Sequence, residues 1–238
     1  MNQLRHVGLS SILLLGIAVA PASATSHETK TVEAAAEVIR EFAAPVHRIP
    51  AAFLRDATAV AIVPHIVKAG LVFDARFGRG VVVVRQPDGS WSNPIFVKLE
   101  GFGVGGELGV ESTDLVLVFK TRTGVDHMLK GHEKLTLGTD VTVAAGPIGA
   151  EAELAVRGKK VEIFSYSRSR GLFAGISVSG AGLKLDREAN EAFYGIRGGH
   201  ADEVLGHRPV AAADCVRVQL GRLVEPQMVP PPPPAIRR

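Results

Sequence analysis

Apolar residues early in the chain recur at the spacing of a helix. Between Thr31 and Val46 they fall three and four positions apart and line one face, while charged side chains take the other. Pro45 lies near the end of this segment, and Pro50 suits the first position of a short second helix that runs to Ala57. The pattern therefore predicts that the N-terminal part is helical.

Beyond Ala59 the sequence changes to short aliphatic runs, each bounded by Gly, Pro or Asp. Nineteen of the 26 glycines lie between Gly70 and Gly182, where they are typical of bulges and bends within strands. Because the runs are too close together for crossover helices, the strands are predicted to be antiparallel. They are predicted at Ala59–Val63, Leu71–Phe73, Val81–Arg85, Ile95–Leu99, Leu115–Phe119, Val141–Ala144, Ala150–Val156, Val161–Ser165 and Ile176–Leu185.

Together these elements predict an α+β fold. Its core is a strongly bent antiparallel β-sheet or a barrel-like sheet, with helices towards both ends of the chain and Pro87–Ser90 as a turn between two strands. A short helix is predicted at Thr123–Lys130, and a last pair of helices at Arg187–Tyr194 and Ala201–Leu205. Pro230–Pro234 cannot join a core and is predicted to be extended.

The first 24 residues have the pattern of an export signal. Arg5 and His6 precede an apolar run from Val7 to Ala20, and small residues lead to Ala24. The run is shorter than the roughly 20 residues of a spanning helix, so cleavage after Ala24 is predicted. The expected location is the periplasm or the medium, including a peripheral position on a membrane. The expected organisation is a signal peptide (1–24), a single domain (25–224) and a Pro-rich tail (225–238).

The distribution of charge is more informative than its total. The formal net charge of +3 lacks the Lys/Arg excess of a nucleic-acid binder, and the single Cys cannot form an internal disulfide. Two basic clusters stand out, and if the strands bring these together they form a basic face able to hold anionic headgroups. A solvated surface with ordinary salt bridges is the equal alternative. The clusters are Arg157, Lys159, Lys160, Arg168 and Arg170, and Lys68, Arg76, Arg79, Arg85 and Lys98.

Searches for catalytic and cofactor chemistry are mostly negative. Gly101–Gly106 satisfies a dinucleotide-binding pattern, but the residues after it alternate like a strand, whereas the motif needs a helix. His127 and His132 do not have a recognised metal-ligand spacing. A hydrolase would need convergent polar groups, for which Ser177, Asp114 and His127 are the candidates. The protein is predicted not to be an enzyme, and neither a cofactor nor a metal is predicted.

One segment of the first cluster, Ser165–Gly171, interleaves hydroxyl and guanidinium groups. Both groups hydrogen-bond phosphate oxygens, so the segment suits a phosphate ligand. The alternative is a strand with one polar face and no ligand. The run Tyr166–Gly175 also resembles the signature of the SYLF domain family. Further matching motifs follow in the family's order from about Val32 to Leu223, namely Ala61–Pro64, Lys68–Gly70, Gly78–Val81, Trp91–Pro94, Thr113-Asp114, Ala144–Pro147 and Phe193–Gly195.

This resemblance implies a lipid-binding module. Eukaryotic members of the family bind phosphoinositides, partly through an N-terminal amphipathic helix, and fungal members also bind actin. For an exported bacterial member the resemblance implies the fold and an affinity for phospholipid, but not these two partners.

We therefore predict non-catalytic binding of anionic phospholipid headgroups in the bacterial cell envelope, without a nucleic-acid partner. The alternative is a periplasmic interaction or structural module that holds another envelope protein. The predicted phosphate contacts are Lys68, Ser167, Arg168 and Arg170, and the predicted apolar anchors are Leu172 and Phe173.

Overall fold

The computed structural model describes residues 26–44, 49–70, 73–104, 109–130, 134–146, 161–169, 172–174 and 180–224. Within these ranges the chain forms a curled sheet with helices at its N-terminal and C-terminal parts, which confirms the predicted α+β class. The predicted signal peptide, the Pro-rich tail and the predicted strand at 150–156 lie outside the described residues.

The described part of the chain contains six α-helices and nine strands. The helices are α1 His27–Glu41, α2 Ala51–Arg55, α3 Arg122–Leu129, α4 Arg187–Tyr194, α5 Ala201–Gly206 and α6 Asp214–Val224. The strands are β1 Ala59–Gly70, β2 Phe73–Val84, β3 Ile95–Val104, β4 Gly109–Phe119, β5 Leu135–Thr136, β6 Val143–Ala145, β7 Ile163–Ser169, β8 Leu172–Ala174 and β9 Gly182–Leu185. None of these helices is both long and apolar enough to cross a bilayer.

The strands form one sheet in the order β5-β9-β3-β2-β1-β4-β7-β6, and β8 pairs with β7. Most strand pairs are antiparallel, as predicted, and the turn at Pro87–Ser90 joins β2 to β3. The prediction is wrong for β6, which runs parallel to β7. The segment between Ala145 and Ile163 is longer than the dozen or so residues that a parallel return requires.

Helix α1 starts at His27 rather than at the predicted Thr31, because Ser26 caps it. The Ser26 hydroxyl oxygen accepts a hydrogen bond from the Thr29 amide at 3.2 Å. The buried stripe of α1 packs on β1, β2 and α6. Its residues are Val32, Ala35, Ala36, Val38 and Ile39.

Helix α6 was not predicted from the sequence, although it completes the helical layer. Its buried residues Val216, Leu220 and Leu223 are four and three positions apart, which is a short stretch of the helical pattern. α6 packs against α1 and α2. The first and last described helices therefore lie side by side.

The C-terminal helices are fixed to the start of β3 by buried hydrogen bonds. The Tyr194 hydroxyl donates to the carbonyl of Pro94 at 2.7 Å, and the Asn190 side-chain oxygen accepts from the Phe96 amide at 2.8 Å. The rings of Phe193 and Tyr194 pack against Phe96. Since Phe96 and the α2 contact Phe164 lie on the same side of the sheet, we call this side the helix face.

Candidate functional site

A bulge interrupts β1 at Pro64 and His65. The register with β4 passes from Val63 opposite Leu115 to Ile66 opposite Thr113, so two residues of β1 face the single residue Asp114. His65 has a φ of 49°, in the left-handed region that residues other than glycine seldom adopt. The bulge takes the His65 amide out of the hydrogen-bond ladder between β1 and β4. This amide instead donates to Oδ1 of Asp114 at 2.9 Å, so it is not left without an acceptor.

Asp114 also binds Arg168 on the neighbouring strand β7. Its Oδ2 accepts from Nη2 of Arg168 at 2.7 Å and from Nε at 3.1 Å, while Nη1 of Arg168 pairs with Glu41 at the end of α1. Burial lowers the pKa of Arg168, but its hydrogen bonds and charge interactions with the two carboxylates raise it overall. We call Glu41, Arg168, Asp114 and His65 the polar bridge, because they fasten α1 to three adjacent strands.

Several of the motifs that carry the family resemblance come together around the polar bridge, whereas Trp91–Pro94 and Phe193–Gly195 meet at the start of β3. Gly80 lies so close to the bulge that a Cβ there would be 2.1 Å from the carbonyl oxygen of Ile62. Gly146 packs against the ring of the fully buried Tyr166, and burial raises the pKa of that phenol. Motifs that lie far apart in the sequence therefore form one structural unit at the bulge, which sequence reasoning did not reveal.

The predicted site residues lie on neighbouring strands at one end of the sheet. β4 separates β1 from β7, and β8 follows β7, so three strand spacings of about 4.8 Å, roughly 14 Å in all, separate the outer members. Their strands are β1 for Lys68, β7 for Ser167 and Arg168, and β8 for Leu172 and Phe173. Arg170 and the side chains of Lys68, Leu172 and Phe173 lie outside the described part of the chain.

Ser167 and Arg168 point to opposite faces of the sheet because they are consecutive residues of a strand. Ser167 is buried, with 4% of its surface exposed, whereas Arg168 lies in the polar bridge on the helix face. One phosphate group cannot contact both side chains in this arrangement. Their phosphate contacts stay predictions, and the structure adds a role for Arg168 in holding α1.

The basic clusters do not form one continuous face among the described residues. Of the first cluster only Arg168 is described. In the second, Arg76 and Arg79 of β2 are three positions apart and therefore point to opposite faces. Arg85 lies near the other end of the strand over the ring of Trp91, at 3.9 Å. Its pKa is lowered by burial.

Beyond α1 the helix face carries two neighbouring exposed apolar side chains. Val67 of β1 and Phe77 of β2 are register partners, and they are 44% and 52% exposed. In the described part of the chain the other large apolar side chain exposed to this degree is Val218 of α6, at 47%. These adjacent side chains offer a small apolar contact on an open sheet face, to which a partner or a membrane could bind.

The hydrolase alternative named Ser177, Asp114 and His127. Ser177 lies outside the described residues, and His127 lies on α3. Asp114 uses both carboxylate oxygens to bind the His65 amide and Arg168. In this arrangement Asp114 holds the fold together, and no catalytic role for it follows.

Comparison with known proteins identifies the family. The Ysc84 family model, described as a Las17-binding protein actin regulator, matches residues 100–221, which is half of the chain. The chain belongs to the Ysc84 (SYLF) family. The resemblance drawn from the sequence motifs is therefore confirmed. The match begins inside β3, so the central strands β1 and β2 precede the matched range.

Several curated relatives show how far the similarity to Ysc84 proteins extends. LAS seventeen-binding protein 3 of Saccharomyces cerevisiae is 43% identical over 150 residues, which is 62% of this chain and 32% of that protein. SH3 domain-containing YSC84-like protein 1 of Homo sapiens is 41% identical over 168 residues, 67% of this chain and 48% of that protein. The chain thus spans about a third to a half of the length of these relatives. Their names describe binding or domain-containing proteins and no enzyme.

Proposed function

We propose that this protein is a non-catalytic lipid-binding protein of the bacterial cell envelope, exported and peripheral on a membrane. The open end of its helix face would meet anionic phospholipid. The observation that carries this proposal is the exposed pair Val67 and Phe77, which lies at the same end of the sheet as Arg168. The names of the Ysc84 relatives support a binding role.

Two interactions hold a protein on an anionic bilayer, the burial of apolar surface and the attraction of basic residues to the headgroups. Strands β1 and β2 supply residues for both. Burying apolar surface contributes roughly 25 cal/mol per Å², and each basic residue near the surface adds about 1 kcal/mol. Arg79 is two positions from Phe77 on β2, so it lies on the same face of the sheet as Val67 and Phe77. The predicted contacts Lys68, Arg168 and Arg170, and the predicted anchors Leu172 and Phe173, remain part of the proposal.

A vesicle sedimentation assay tests the proposal with the chain from residue 25 to residue 238. The chain is expected to bind vesicles of phosphatidylglycerol and phosphatidylcholine, and to bind pure phosphatidylcholine weakly. High salt should weaken binding because it screens the basic residues. The double variant Val67→Ser with Phe77→Ser is expected to bind about tenfold more weakly, since it removes apolar surface from the contact.

The matched control is Val218→Ser, because Val218 is similarly exposed but lies on α6. It should bind as the unchanged chain does. The proposal fails if the unchanged chain stays in the supernatant with anionic vesicles at low salt. It also fails if the Val218 variant and the double variant lose the same affinity.

The second candidate is a protein-interaction module, which is favoured by relatives that are named for binding Las17. A pull-down from an envelope extract, with and without residues 225–238, tests whether the Pro-rich tail holds a partner. Retention of one protein by the full chain and its loss with the tail would support this candidate.

A further inference from the structure

A groove of about 680 Å³ separates the first half of α1 from the β2–β3 hairpin. Its α1 wall carries residues three and four positions apart, so they lie on one face of the helix. Its floor is formed by the two strands, with the bulge at one side. We call this the α1 groove, and its principal lining residues are Lys30, Ala34, His65, Phe77, Arg79 and Lys98.

Two of the three basic residues in the groove are not fixed by a carboxylate at hydrogen-bond distance. Lys98 is held at 2.9 Å by Asp186, which is buried and also caps α4. Arg79 is half exposed, and its Nε is 3.9 Å from Asp186. Lys30 is exposed and has no carboxylate within 4 Å in the described part of the chain.

The charges around the groove leave a small positive excess. Glu100 is paired with Lys184 at 2.7 Å, and Glu188 is 3.5 Å from Lys98. With His27 and His65 counted as neutral, the lining residues themselves sum to two positive charges, from Lys30, Arg79, Lys98 and Glu100. The groove therefore favours an anionic group, and Arg79 and Lys30 are the two cations in it without a carboxylate at hydrogen-bond distance.

We propose that the α1 groove binds the phosphodiester headgroup of one anionic glycerophospholipid. The planar fork of Arg79 and the ammonium of Lys30 would hold the two non-ester oxygens. Phe77 would lie against the glycerol and the first methylene groups of the acyl chains. The groove volume falls within the range of about 300–1,000 Å³ that is usual for small-ligand sites. This inference rests on the proposed function and assigns one lipid molecule to a defined site.

The test uses monomeric dihexanoyl phosphatidylglycerol, a lipid short enough to stay dispersed, and measures binding by isothermal titration calorimetry. We expect saturable binding with one site per chain. The double variant Lys30→Gln with Arg79→Gln should bind about 10- to 100-fold more weakly, because it removes two charge-assisted hydrogen-bond donors. Dihexanoyl phosphatidylcholine, which has no net charge, should bind at least about tenfold more weakly than the anionic lipid.

The matched control is the double variant Arg55→Gln with Arg222→Gln. It loses the same net charge from exposed residues of α2 and α6 and should keep the affinity of the unchanged chain. Circular dichroism of each variant checks that the fold is retained. Equal losses in the two double variants would overturn the groove site, because they would reflect net charge alone.

The groove inference and the proposed function fail in different ways. Vesicle binding without saturable binding of the monomeric lipid would overturn the groove site and leave membrane binding intact. Saturable binding of the monomer that depends on Lys30 and Arg79, without retention on vesicles, would support the groove site and overturn the membrane-surface role.

Discussion

Replacing Asp114 with alanine is expected to destabilise the folded protein by about 3–5 kcal/mol, which is the usual effect of breaking a buried ion pair. Asp114 is 5% exposed and accepts hydrogen bonds from the His65 amide and from Arg168. Without it the bulge loses the acceptor for an amide in a strained conformation, and Arg168 loses its hydrogen bonds to a buried carboxylate. Urea unfolding followed by circular dichroism measures the change.

Two further variants make this result specific. Asp114→Asn keeps an oxygen that can accept from the His65 amide but loses the charge. Its free energy of unfolding should therefore lie between that of the alanine variant and that of the unchanged chain. Glu37→Ala breaks an exposed pair with Arg40, and we expect it to cost at most about 1 kcal/mol. An Asp114→Ala variant as stable as the Glu37→Ala variant would contradict the role assigned to the polar bridge.

Replacing Gly80 with alanine is expected to cost about 3 kcal/mol or more, at the upper end of the usual cost of overpacking. The new methyl group would lie 2.1 Å from the Ile62 carbonyl oxygen and 2.8 Å from the Val63 Cα. Both are backbone atoms of β1, so no flexible side chain can move aside. The strands would have to separate at the bulge, and thermal unfolding is expected at a markedly lower temperature.

Gly221→Ala is the matched control for this substitution. Gly221 lies in α6, and a Cβ there would meet no atom within 4 Å. Because alanine favours a helix by up to about 1 kcal/mol over glycine, this variant should be as stable as the unchanged chain or slightly more stable. If both alanine variants unfold at the same temperature, the close approach at Gly80 does not limit the fold.

The elements with regular hydrophobic patterns could be predicted from the sequence, and those shaped by long-range contacts could not. α4 agrees with its predicted bounds, because Arg187–Tyr194 has a clear helical pattern and a Gly that ends it. α6 was missed because its buried residues are few and Val218 interrupts the pattern. The parallel pairing of β6 depends on how the chain returns, which local composition does not specify.

The candidate site was only partly accessible from the sequence. Strand alternation alone shows that Ser167 and Arg168 cannot both face one ligand, but the composition of the segment suggested phosphate contacts for both. The polar bridge joins residues of α1, β1, β4 and β7, which are far apart in the sequence, so no local sequence pattern predicts it. The bulge could not be predicted either, because the residue with a positive φ is a histidine and not the glycine that usually marks such a position.

Because α1 packs against α6, this part of the native core can form only after α6 has been synthesised. α1 is made early in synthesis and α6 late, yet each covers apolar surface of the other. Until α6 is available, the apolar stripe of α1 has only part of its cover and is open to association with other chains or with a chaperone. A ribosome that stalls before Asp214 would therefore release a product prone to aggregation, even though every strand of the sheet had already been made.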